Sequence, residues 1–301
     1  MSLVLADQSK PSAAPAVKDR PLEPGTLYVV ATPIGNLEDL TFRALRILQK
    51  VDLIAAEDTR HSRKLCNYYA INTPLTSYFA HNEESKGEKI VEKIRQGATV
   101  ALVTDAGTPA ISDPGYLLVK RCREEQLRVE CVPGPSALVG ALSISGFPSE
   151  QFLFTGFLPA KSALLRRKIS GFLNEGQTVV CYESPRRLLK TLELMQEELG
   201  PERQVAIVRE LTKIHEEMIA GPLPDVIQTL RMQGVRGEIV LLLAPAAQKV
   251  QNESVQEALQ RVQAETGLPM RQVVKQVARQ FGLPGSDVYK ESLQIRSKEG
   301  P

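Results

Sequence analysis

The chain has 301 residues, 43% apolar and 24% charged, with a formal net charge of +2. This is the composition of a globular protein with room for two domains of ~150 residues each, and it excludes a chain that grips polyanions through bulk charge. No apolar run approaches the ~20 residues of a membrane span.

Residues 1–24 are rich in Pro, Ala, Ser and Lys with little apolar periodicity. They read as a flexible tail, because the Leu3-Val4-Leu5 run has no basic segment before it and is too brief for a signal peptide. From Thr26 onward, short apolar runs alternate with amphipathic stretches. Strands are predicted over 27–31, 52–56, 75–78, 99–103 and 128–132. Between the first two, Leu37, Leu40, Ala44, Leu45 and Leu48 recur at helical spacing; residues 83–95 turn Ile90, Val91 and Ile94 inward. This alternation predicts a parallel sheet with helices on its faces. Gly146-Phe147-Pro148 interrupts it, so an N-terminal α/β domain is expected over 25–147 and a C-terminal α/β domain over 148–245. The second block predicts strands at 152–156, 178–182, 205–208, 216–220 and 239–243, with helices near 164–173, 188–199 and 225–232. After Pro245, amphipathic segments carrying Ala258, Leu259 and Val262, then Val273, Val274, Val277 and Phe281, form a helical extension over 246–301.

The most informative stretch is 100–115, Val-Ala-Leu-Val-Thr-Asp-Ala-Gly-Thr-Pro-Ala-Ile-Ser-Asp-Pro-Gly. A buried strand breaks into a loop in which Gly107 permits close backbone approach, Pro109 stiffens the chain, and Asp105 and Thr108 offer polar groups. Ser112-Asp113 reads as the start of the next helix. Loops at the carboxyl ends of parallel strands are where ligands bind. Further polar loops fall at the same edge, after the other predicted strands. Asp58, Thr59, Ser136 and Ser184 suit plain helix capping equally well. The four cysteines (Cys66, Cys122, Cys131, Cys181) are scattered without C-x-x-C spacing and read as reduced core thiols; with three distant histidines, no metal site is expected.

Seven of these stretches, taken in chain order, carry a resemblance. They are Thr32-Pro33-Ile34-Gly35-Asn36-Leu37, Glu57-Asp58-Thr59-Arg60, His81-Asn82-Glu83, Asp105-Ala106-Gly107-Thr108-Pro109 with Ser112-Asp113-Pro114-Gly115, Val132-Pro133-Gly134-Pro135-Ser136-Ala137, Tyr182-Glu183-Ser184-Pro185-Arg186-Arg187, and Arg209-Glu210-Leu211-Thr212-Lys213. From about residue 25 to 244 the chain resembles ribosomal RNA small subunit methyltransferase I, a branch of the tetrapyrrole methylase superfamily. Arg236-Gly237-Glu238 departs from that family's usual Lys-Gly-Glu, keeping the charge with another geometry. The resemblance implies two α/β domains of the tetrapyrrole methylase (class III) type, with S-adenosylmethionine in the cleft between them. It also implies a homodimer that methylates the 2′-hydroxyl of a cytidine in the decoding region of small-subunit (16S) rRNA; the scattered, reduced thiols make the cytoplasm the default location. Other readings are a tetrapyrrole-type small-molecule methyltransferase and a non-enzymatic ribosome-binding factor.

By the same resemblance, Pro33, Gly35, Gly107, Thr108 and Ile111 line the cofactor pocket. Ser136 and Ala137 lie beside them, and Tyr182 and Gly237 close it from the second domain. Candidates for handling the proton of the poorly acidic 2′-hydroxyl are Lys213, Glu57 and Asp105, with Lys213 as a base of lowered pKa and Glu57 orienting it. Arg60, His81, Asn82, Arg186 and Arg187 are expected to face RNA. Lys161, Arg166, Arg167, Lys168, Lys290, Arg296 and Lys298 add local positive charge, although 166–168 equally suit the wet face of a helix.

Overall fold

The computed structural model describes residues 21–246 and 254–298. The expected tail over 1–20 and the segments 247–253 and 299–301 lie outside the described residues. Within the tail as expected over 1–24, Leu22 packs against the first core, so the first domain includes residues before Gly25.

The apolar runs form β1 (Thr26–Val30), β2 (Leu53–Ala56), β3 (Leu75–Ser77), β4 (Val100–Val103) and β5 (Arg128–Val132). They make one wholly parallel sheet in the order β3-β2-β4-β1-β5. Each crossover is helical: α1 (Phe42–Lys50), α2 (Thr59–Tyr68), α3 (Glu83–Arg95) and α4 (Tyr116–Glu124). Central strand β4 is buried along its whole length, as a strand covered on both faces must be. Val30, Ile47 and Ile54 pack on one face, and Leu27, Ile94 and Leu118 on the other.

The second block folds as β6 (Phe152–Phe157), α6 (Ser162–Ser170), β7 (Thr178–Glu183), α7 (Pro185–Leu199), β8 (Gln204–Arg209), β9 (Glu217–Pro222), α8 (Leu223–Gln233) and β10 (Ile239–Leu243). Its sheet, ordered β6-β7-β10-β8-β9, is mixed: β6 and β7 run parallel, while β10 runs antiparallel to β7 and β8. One face packs on α6, α7 and α8 through Ile169, Leu192 and Leu230. The other is covered by α5 (Ala137–Ile144), which leaves the first sheet yet sets Ala141 and Leu142 against Val180, Ala206 and Val240. Thus α5 follows the parallel sheet in sequence and the mixed sheet in packing.

One expectation needs correction. The helix expected to start at Ser112-Asp113 begins later, with Gly115 as its N-cap at φ 132°. The Gly115 N–H is satisfied by the Glu83 side chain, 32 residues earlier (2.8 Å). Asp113 is thereby freed from capping and lies in the loop, next to Ser112 at φ 64°.

The helical extension comprises α9 (Val255–Thr266), α10 (Met270–Phe281) and α11 (Gly285–Lys298) around a small core of its own. A capping box between Ser254 and Glu257 opens α9. No described helix is long and apolar enough to cross a membrane.

Candidate active site

Every strand of the parallel sheet points its carboxyl end at one edge, and the loops there are stitched together. Thr32 and Gly107 exchange backbone hydrogen bonds (2.9 and 3.0 Å), joining the loops after β1 and β4. Thr32 Oγ1 donates to the Thr104 carbonyl (3.1 Å), and Thr108 Oγ1 donates to the Pro135 carbonyl after β5 (3.2 Å). The loop after β2 is held likewise: Asp58 N–H donates to Asp105 Oδ1 (3.1 Å), and Thr104 Oγ1 donates to Glu57 Oε2 (2.6 Å). In the mixed sheet, the register sets Val240 between Tyr182 and Val208. The ends of β6, β7 and β8 and the start of β10 therefore share an edge. The two edges enclose a cleft of about 410 Å³, within the usual range of a small-molecule site.

Of the residues singled out from sequence, Glu57, Asp105, Gly107, Thr108, Ile111, Ser136, Ala137, Tyr182 and Gly237 all line this cleft. Pro33 and Gly35 flank it, since Ile34 between them is the lining residue. Gly237 has φ 83°, and a Cβ there would stand 2.4 Å from Glu210 Oε1, so only glycine fits. Glu210 and Thr212 in the facing loop, like Ala110 and Ser112 opposite, hold positive φ without being glycine. Such strain gathers where surrounding structure over-determines a loop, as at binding sites.

Lys213 does not line the cleft. Its stem lies over Gly35, and its ammonium donates to Glu210 Oε1 (2.9 Å) and Glu238 Oε2 (3.1 Å). The expected lowering of its pKa is overturned: burial pulls it down, but the hydrogen bonds it donates to both carboxylates raise it above the ordinary lysine value.

The sequence reading passed over Asp113. It lines the cleft with Glu57 and Asp105, and burial, followed by the Glu57 charge, pushes its carboxyl up to about 6. Burial also raises Asp105, against the Asp58 N–H that it accepts. Three carboxylates thus share a partly dry cleft, a setting in which protonation is finely poised. Among the described residues no group of three or more His, Cys, Asp or Glu is arranged to hold a metal.

The expected RNA-facing residues divide. Arg60 is exposed and pairs with Asp58 (2.7 Å), the N-cap of α2, whose carboxyl falls to about 2 through the Arg60 side chain. His81 is exposed beside Phe79. Asn82 shapes its turn, accepting from the Phe79 N–H (2.8 Å). Arg186 is exposed at the start of α7, whereas Arg187 is consumed internally. Arg187 Nε donates to buried Glu183 (2.8 Å), and its Nη2 donates to the Leu158 carbonyl (3.0 Å). Arg166 pairs with Glu197 and Glu198, and Lys168 stands over the Phe172 ring, so both serve local structure. Lys161 and Arg167 are exposed, and Lys290 pairs with Asp287 (3.4 Å). The side chains of Arg296 and Lys298 lie outside the described ones.

The family model for tetrapyrrole (corrin/porphyrin) methylases matches residues 26–227. Ribosomal RNA small subunit methyltransferase I of Halalkalibacterium halodurans is 45% identical over 271 residues, covering 88% of this chain and 93% of that protein. The protein of the same name from Haemophilus influenzae is 42% identical over 275 residues, 89% of this chain and 96% of that one. Among solved structures, uroporphyrin-III C-methyltransferase from Thermus thermophilus, complexed with S-adenyl homocysteine, matches with a TM-score of 0.51 at 19% identity, covering 73% of this chain and 98% of that one; this likeness concerns the fold. The chain belongs to the tetrapyrrole (corrin/porphyrin) methylases, in the branch of the ribosomal RNA small subunit methyltransferases I.

Proposed function

We propose that this S-adenosylmethionine-dependent rRNA methyltransferase acts on the ribose 2′-hydroxyl of a cytidine in the decoding region of 16S rRNA. The observation carrying the reading is the convergence of the rRNA-branch motifs on one cleft between two sheets. The cleft suits the cofactor: Ile111, Ala137 and Val240 offer an apolar wall, and Glu57, Asp105 and Asp113 offer negative charge to a sulfonium. Gly107, Thr108, Ser136, Tyr182 and Gly237 would complete its binding, with Pro33 and Gly35 shaping the loop around Ile34.

S-adenosylmethionine supplies a methyl already activated on sulfur. What remains for the chain is to hold the ribose oxygen in line and to take its proton. The cleft carboxylates are the acceptors in this reading. Asp113, poised at about 6, is best matched to neutral pH, and Glu57 and Asp105 tune it by like charge. Lys213, kept protonated, acts as a positioning cation that fixes the Glu210 and Glu238 loops. Arg60, His81, Asn82 and Arg186 present the outer polar surface to RNA. The reading places the protein in the cytoplasm with ribosomal subunits, as a homodimer; light scattering tests the latter by a molar mass twice that of the chain.

The deciding experiment supplies labelled cofactor with small subunits, naked rRNA or a tetrapyrrole precursor, and maps ribose methylation at nucleotide resolution. One cytidine labelled at its 2′-oxygen is the expected result. Label only in the tetrapyrrole, or on a base nitrogen, overturns the reading.

A further inference from the structure

Arg271, Lys275 and Arg279 recur every fourth residue along α10, and all three are exposed. A helical rise of ~1.5 Å per residue spaces them ~6 Å apart along one side. The side of α10 opposite them is committed to the core through Val273 and Val277, which cluster with Leu259, Val262 and Val288, while Val274 and Ala278 border the stripe at the floor of a groove. Like charges at this spacing repel by a few tenths of a kcal/mol per pair. Among the described residues, none of the three has an ion pair or hydrogen bond. The acidic residues of α11 are engaged elsewhere, Asp287 with Lys290 (3.4 Å) and Glu291 accepting from the Gln256 amide (2.6 Å). Residues 254–298 carry seven Lys or Arg against four Asp or Glu, so the extension has an excess of positive charge.

The stripe borders an open groove of about 1210 Å³ between α10 and α11, whose other side presents Leu283, Tyr289 and Leu293. Tyr289 is half exposed. Cations at regular spacing facing an aromatic ring make a surface that tracks a phosphate backbone while a base stacks.

We propose that the Arg271-Lys275-Arg279 face of α10 docks the phosphate backbone of a single-stranded stretch of RNA, with Tyr289 stacking a base across the groove. The extension is then a second RNA-holding surface in addition to the cleft. This inference rests on the rRNA reading above. It assigns the helices a part in substrate capture, separate from the chemistry.

The test uses the full chain and its R271Q/K275Q/R279Q variant, with a 20-nucleotide oligouridine and naked small-subunit rRNA as probes across a salt series. Loss of three single-strand phosphate contacts makes log K against log salt shallower by about 2. In methyl transfer to naked rRNA, KM should rise roughly tenfold with kcat retained, whereas R271K/R279K should behave like the parent protein. Independently of folding, oligouridine should slow amine modification of Lys275 in the unaltered protein. An unchanged salt slope, or equal Lys275 modification with and without oligouridine, overturns the proposal. So does a binding defect seen on assembled subunits alone, which would make the stripe a protein contact. Failure of the parent reading looks different: the unaltered protein would transfer no methyl to rRNA, and this proposal would fall with it.

Discussion

The stem of Lys213 lies so close over Gly35 that a Cβ on residue 35 would stand 2.4 Å from Lys213 Cγ. A loop of the parallel sheet and a loop of the mixed sheet are therefore in van der Waals contact beside the cleft, with the lysine charge fixed by Glu210 and Glu238. Gly35→Ala should push the stem aside and disturb both loops. The expected result is at least a tenfold loss of methyl transfer, with a small change in thermal midpoint. Lys213→Met, which keeps the stem and removes the charge, should cost about 1 kcal/mol of stability. Because the ammonium is held above its ordinary pKa, rate profiles should show no lysine inflection between pH 7 and 9. An inflection there that vanishes in Lys213→Met would restore the lysine as base.

Asp113 couples the cleft to pH. Its folded value of about 6 stands above the ordinary 3.8, so the native state holds this proton more tightly than the unfolded chain. The stabilisation this brings is full below about pH 4 and is lost as pH rises through about 6. Asp113→Asn should flatten that part of the stability curve and make the protein about 1–2 kcal/mol more stable at pH 7.5, after allowance for solvent screening. Cofactor affinity, followed by calorimetry, should rise with pH through 6 in the unaltered protein and stay level in the variant. The charged groups facing Asp113 are Glu57 and Asp105, so Glu57→Gln should move the inflection downward.

Much of this architecture is legible in local sequence, because strand and helix periods are local signals. The five parallel strands, and the loops at their ends, fall where alternation of apolar runs puts them. What escaped depends on partners distant in the chain. Ser112-Asp113 before an apolar run has the form of a cap, yet Glu83 takes the capping role from 32 residues away and leaves Asp113 for the cleft. The mixed order of the second sheet comes from β10 pairing with β7 and β8, strands distant from it in sequence, a tertiary outcome. Arg187 is different: its i,i+4 relation to Glu183 was visible in sequence. Only burial of the glutamate, however, says which way the arginine turns.

That pair yields a stability prediction. Glu183 is fully buried in its side chain and accepts from Ser184 N–H (2.7 Å), Arg187 and Thr191 Oγ1 (2.9 Å). Glu183→Ala leaves Arg187 and Thr191 without their acceptor at the base of the Tyr182 loop. A loss of about 3 kcal/mol is expected, read as a drop of several degrees in thermal midpoint. Thr191→Val, which removes one of several donors, should cost about 1 kcal/mol. Equal losses in the two variants would mean that the network is not organised around the carboxylate.

Arg186 and Arg187, adjacent in sequence, should separate in RNA binding. Arg186 is exposed where α7 leaves the cleft, and its charge is free among the described residues. Arg186→Ala should weaken binding to rRNA uniformly and make the salt slope shallower by about 0.7 to 0.9, as loss of one phosphate contact does. Arg187→Ala should instead lower the thermal midpoint, since it strips buried Glu183 of its cation. At a temperature where that variant remains folded, its salt slope should match the parent's. Reversed outcomes would mean that the α7 face turned toward RNA is the one carrying Arg187.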